Sequence, residues 1–162
     1  RRTESGELFL RKPGRMRWEY SDPAGKLFLS DSRNIYYYNA SSNRAEKMKL
    51  KESDDMRAPL AFLLGRLDFD KDFRDFQSSP HAAGTLISAK PKSEKLPYRQ
   101  VDFVVDSNSA IRELTVHGHD SSLLTFNFAN EKVNPAVSDK LFKFELPAGA
   151  TFVDTSADGG AK

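Results

Sequence analysis

The chain has 162 residues, with 25 basic and 23 acidic side chains and a formal net charge of +2. That length fits one domain spanning residues 1–162, and so small a charge excess excludes the broad electrostatic footprint of a nucleic-acid binder. The absence of cysteine excludes disulfides, thiolate nucleophiles and cysteine-ligated zinc.

The first two elements are read from residues 7–11 and 15–20, separated by Pro13-Gly14, a pair that favours a tight reversal. The second alternates without a fault: Met16, Trp18 and Tyr20 point to one side, Arg15, Arg17 and Glu19 to the other. A strand has period two, so this one carries an oily and a charged face. The turn Asp22-Pro23-Ala24-Gly25 leads to a third strand at 26–30, a turn at 31–34, a tyrosine-rich strand at 35–38, another turn at 39–43, and a fifth strand at 44–50. Connections this short predict an antiparallel meander.

The period then changes. In residues 54–67, Met56, Leu60, Leu63, Leu64 and Leu67 fall at helical spacing behind Asp54 and Asp55. Pro59 fits the first turn and Gly65 weakens the far end, so a short amphipathic helix is predicted, with a second turn near 69–76. Strands resume at 84–90, 98–105, 110–117, 123–128, 141–145 and 151–153. Residues 130–139 form a polar connection, and a flexible tail is expected at 155–162.

About eleven strands and one helix can pack as a sandwich or as one strongly curved sheet. We expect a mainly β fold in which a single curved antiparallel sheet forms an unclosed β-barrel with a short helical lid. A greasy concave sheet under a small helix is a cavity suited to apolar ligands. No apolar run approaches the ~18 residues of a membrane-crossing helix, so any membrane involvement is expected to be peripheral.

Polar chemistry is sparse. His117-Gly118-His119-Asp120 resembles a metal site, but no further ligands of recognisable spacing follow, and it reads as a turn. His81 reads as a solvated loop residue. No serine lies in a nucleophile elbow and no glycine-rich phosphate loop is present. Asn39-Ala40-Ser41 matches a glycosylation sequon of the kind that turn sequences produce by chance. The basic clusters Arg11, Lys12, Arg15, Arg17 and Lys90, Lys92, Lys95, Arg99 read as a solvated rim. The expectation is a protein that is no enzyme and needs no metal or other cofactor.

The runs Gly6 to Tyr20, Leu29-Ser30-Asp31 and Ile35 to Asn39, then Pro59 to Gly65, Ala89-Lys90-Pro91-Lys92, Leu124-Thr125-Phe126 and Phe142 to Gly149, resemble the periplasmic outer-membrane lipoprotein carrier (LolA-like) family, in order and over most of the chain. The resemblance implies an unclosed barrel with a helical cover. It implies a periplasmic protein that takes acylated lipoproteins from an inner-membrane ABC lipoprotein-releasing complex to an outer-membrane acceptor, binds no nucleic acid and works as a monomer. The family's N-terminal helix and first strand are expected before the Gly6 region, and this sequence begins without them. The family's arginine before Pro13, which bonds the lid, is here Lys12 with Arg11 beside it. Lysine keeps the charge but loses the planar fork, so both are latch candidates.

The expected acyl-chain cavity comprises Leu10, Met16, Trp18, Tyr20, Phe103, Phe126, Phe128, Phe142 and Phe144, with Leu60, Leu63 and Leu64 closing it. The alternative is that these side chains fill an ordinary core. A second function of the same shape is a lipid- or lipoprotein-binding sensor that reports to a membrane partner.

Overall fold

The computed structural model describes residues 3–11, 14–50, 69–132 and 135–156. It forms two compact units, one from residues 1–67 with 136–162 and the other from residues 68–135. The helix expected at 54–67, Lys12 and residues 157–162 of the expected tail lie outside the described residues.

The first unit is built on a meander of β1 (Ser5–Arg11), β2 (Arg15–Asp22), β3 (Ala24–Asp31), β4 (Asn34–Asn39) and β5 (Arg44–Lys49), as the short turns require. The sixth strand, β11 (Thr151–Asp154), pairs with β5 in parallel, giving the order β1-β2-β3-β4-β5-β11. Across the ladder Leu10 faces Met16, Trp18 faces Phe28, Phe28 faces Tyr37, and Ile35 faces Met48. Partners in register share a face. β3 differs from β2 in reading Leu27-Phe28-Leu29 without alternation, and both Phe28 and Leu29 are buried although they point oppositely. A continuous apolar run marks a strand covered on both sides.

The second unit is a meander in which every described pairing is antiparallel. A single helical turn, α1 (Phe69–Asp72), leads into β6 (Phe73–His81), β7 (Gly84–Pro91), β8 (Tyr98–Val105), β9 (Ile111–Gly118) and β10 (Leu123–Asn127). Its buried side chains include Ala89, Val101, Phe103, Leu114, Val116 and Phe126. Gly84 has φ +148°, and a Cβ there would stand 2.1 Å from the Val105 carbonyl oxygen. Only glycine allows that approach.

The mainly β, unclosed architecture matches the expectation, but the described strands divide between two sheets instead of one continuous one. The outer edge of β5 is taken by β11, which ends that ladder, and β6 opens a second one. Residues 141–145 are not a strand. A 3-10 turn spans Asp139–Phe142, capped by Ser138, whose hydroxyl accepts the Lys140 N–H at 3.2 Å.

Candidate functional site

The register separates two faces on the first unit's sheet. One carries Leu10, Met16, Trp18, Phe28, Ile35, Tyr37 and Met48. Met16, Phe28 and Ile35 are buried, Trp18 and Tyr37 half-buried, and Leu10 exposed at its margin. Trp18 and Tyr20, two apart on β2, stack at 5.2 Å with an 11° tilt. Phe28, Ile35, Tyr37, Glu46 and Met48 enclose a small hollow of about 70 Å³. Four of these five are apolar or aromatic, and they extend the oily face predicted from β2 alone.

The opposite face carries Arg11, Arg15, Arg17, Leu27, Leu29 and Tyr36. It is not simply wet. The Arg11 guanidinium donates to the Val137 carbonyl at 2.6 Å, pairs with Asp139, and lies 5.3 Å above the Phe142 ring. Arg17 donates to the Leu141 carbonyl at 3.0 Å and to Glu19 at 2.5 Å. Phe144 stacks on Tyr36 at 4.9 Å. The segment 137–144 is therefore pinned across the arginine face by charge-assisted donors to its own backbone. Burial and a nearby Asp31 carboxylate raise the pKa of Tyr36.

Phe142 and Phe144 consequently lie on the face opposite Met16, Trp18 and Tyr20, which corrects their placement in one cavity with those residues. Their alternation with Lys143 and Glu145 arises where the chain leaves the 3-10 turn and becomes extended at Lys143, without a ladder partner among the described residues. Among the described residues Arg11 meets Val137, Asp139 and Phe142. Leu60, Leu63, Leu64 and Lys12 fall outside the described residues.

In the second unit, Phe103, Leu114 and Phe126 face one another across β8, β9 and β10, with Val101 and Val116 on the same side. Phe126 and Phe128 stack at 6.4 Å. The other side carries Ser88, Gln100, Asp102, Thr115, His117 and Thr125. Burial would raise the Asp102 pKa, but hydrogen bonds from Gln100 at 2.8 Å, His117 at 2.5 Å and Ser88 overcome it and hold the carboxyl below its usual range. Tyr98 is buried, and burial with the Asp72 charge pushes its pKa up to about 12.

The two histidines of the 117–119 run part company. His117 meets Asp102, while His119 Nε2 meets the Leu96 carbonyl at 2.8 Å, so they share no common point. His81 Nδ1 accepts the Ala83 N–H at 3.0 Å and closes the β6–β7 turn. Asn39 accepts from the Ser41 N–H and hydroxyl at 3.0 and 2.8 Å, the local bond of an Asx turn.

Phe28, Ile35, Tyr37 and Met48 share the face of Met16 and Trp18, which parity on one strand does not reveal until turn lengths are known. The short turns between β2, β3, β4 and β5 carry that information.

Two antiparallel-rich sheets, neither closed among the described residues, define a mainly β protein. The family model for the outer membrane lipoprotein carrier protein LolA matches residues 1–145, and the chain belongs to that family. Similar curated relatives are outer-membrane lipoprotein carrier proteins of Nitrosospira multiformis, 25% identical over 93% of this chain and 72% of the relative, and of Legionella pneumophila, 28% identical over 92% and 73%. Among solved structures, a LolA superfamily protein from Nitrosomonas europaea aligns at 12% identity with a TM-score of 0.42, covering 81% of this chain and 64% of that one. A "putative outer membrane lipoprotein-sorting protein domain" from Vibrio parahaemolyticus aligns at 13% identity and a TM-score of 0.42, over 77% of this chain and 61% of that one. The chain thus spans somewhat under two thirds of these two structures.

Proposed function

We propose that this chain is a periplasmic carrier of acylated lipoproteins, receiving them from an inner-membrane ABC complex and passing them to an outer-membrane acceptor, and that it performs no catalysis. The observation that carries this reading is the apolar face of the first sheet, with its hollow beside Phe28 and Met48, in a chain of the lipoprotein carrier family. The acyl chain contacts Leu10, Met16, Trp18 and Tyr20, together with Phe28, Ile35, Tyr37 and Met48.

A saturated chain of about 16 carbons gains roughly 13 kcal/mol on leaving water, at ~0.8 kcal/mol per methylene. A bilayer offers the same gain. A carrier must therefore match the bilayer closely, binding well enough to solubilise and weakly enough to release. A hollow of about 70 Å³ is far below the ~300 Å³ at which ligand pockets usually begin, which suits an empty state whose aromatic walls part on loading.

The test is binding of a fluorescent palmitoyl probe. Met48→Glu adds a second carboxylate beside Glu46 in the hollow's wall and should weaken binding at least about tenfold, since a bound acyl chain would bury that charge without a partner. Leu146→Glu, at an exposed position, should bind like the parent. Equal affinity for parent and Met48→Glu, both with unchanged far-ultraviolet circular dichroism, would sink the proposed acyl surface.

A further inference from the structure

The arginine face holds a second and larger concavity. A basin of about 540 Å³ lies between β2, β3 and the segment after Ala136, lined by Arg17, Leu27, Ser138, Lys140, Leu141, Lys143, Glu145 and Pro147. That volume falls within the ~300–1,000 Å³ of ligand sites. Three cations meet one carboxylate, Glu145, in its wall. Among the described residues the Lys140 and Lys143 ammonium groups enter no ion pair or side-chain hydrogen bond, whereas the Arg17 guanidinium is fixed by Glu19 and by the Leu141 carbonyl. Arg17 thus holds in place the same short run that presents both lysines. Leu27, Leu141 and Pro147 supply an apolar floor. Two lysine ammonium groups beside a fixed guanidinium, over an apolar floor, match an anion that carries hydrocarbon.

We propose that this basin binds a phosphate ester, with Lys140 and Lys143 contacting the phosphate, Arg17 contributing positive potential, and Leu27, Leu141 and Pro147 receiving the attached carbon chain. It lies on the face opposite the proposed acyl surface, so the two proposals stand or fall separately. Phosphate suits the arrangement because several donors can share its oxygens and two lysines act on it as point charges.

The ester has two possible sources, a membrane headgroup and a free metabolite. Flotation with phosphatidylcholine vesicles, with and without phosphatidylglycerol, probes the first. Titration with glycerol 3-phosphate, followed by lysine side-chain NMR shifts, probes the second. Binding to either probe is expected, falling about tenfold in the double variant Lys140→Glu/Lys143→Glu through loss of two exposed charge contacts and their reversal. Glu145→Gln should tighten it. The charge-matched variant Lys90→Glu/Lys95→Glu, on the other compact unit, should bind like the parent, and near-ultraviolet circular dichroism verifies each fold. Binding to neither probe, equal loss in both double variants, or binding only of an acidic peptide would overturn the proposal.

Discussion

The two sheets answer the same problem in different ways. In the second unit, β9 buries alternate residues, and on the polar side Asp102 meets His117 while Thr115 meets Thr125. In the first, β2 alternates just as regularly, yet its polar side is covered by a later stretch of chain whose carbonyls accept from Arg11 and Arg17. Period-two patterning therefore reports which way side chains point. Whether the polar side meets water or backbone depends on where guanidinium donors find carbonyls.

Substitutions can break this contrast, beginning where the effect should be largest. Leu29 is fully buried on the arginine face, so Leu29→Ala should destabilise the first unit by about 2–5 kcal/mol in urea unfolding, whereas Thr115→Ala on the second unit's polar side should stay within about 1 kcal/mol. A comparable loss at both positions would mean that the two polar sides are covered alike.

Gly84→Ala should destabilise the second unit by about 1–3 kcal/mol through its strained φ and the Val105 clash. Hydrogen exchange should show the loss in β7 and β8 ahead of β2 and β3. Uniform loss across all four strands would show the units to unfold as one.

Arg17→Gln should cost about 1–2 kcal/mol by removing a charge-assisted bond to Leu141, and should speed proteolysis within 137–146. An unchanged cleavage rate would mean that Phe142 and Phe144 hold the segment unaided.

The smallest expected effect concerns pH. Asp102 has a folded-state pKa below its unfolded value, so its contribution is present above about pH 4 and fades as pH falls through the lowered folded value. Asp102→Asn should flatten that acid limb. Tyr98 acts at the other extreme: its contribution is intact below about pH 10 and declines toward its folded value of about 12, so Tyr98→Phe should hold stability there.

Much of this was legible beforehand. Strands β1 to β5 and β7 to β10 follow from alternation and turn residues, within a residue or two at their ends. β6 was hidden because it is an exposed edge strand carrying Pro80, with an irregularity between Arg74 and Gln77 that breaks the period. Residues 141–145 misled because apolar and polar residues alternate there across the end of a 3-10 turn and the extended residue after it, with no ladder partner among the described residues. Of the candidate site, Met16, Trp18 and Tyr20 were read from one strand, whereas Phe28, Ile35, Tyr37 and Met48 required register across three more. The lysine basin was invisible because Arg17 and Lys143 are 126 positions apart, and only the pinning of 137–144 brings them together.

The place of β11 has a consequence for synthesis. Residues 68–135 are made between the first five strands and the stretch that completes their sheet. Until the ribosome has released residues 137–154, Tyr36 lacks the Phe144 ring and β5 lacks its β11 partner. The first five strands are thus a surface in waiting, completed by chain made only after the second unit.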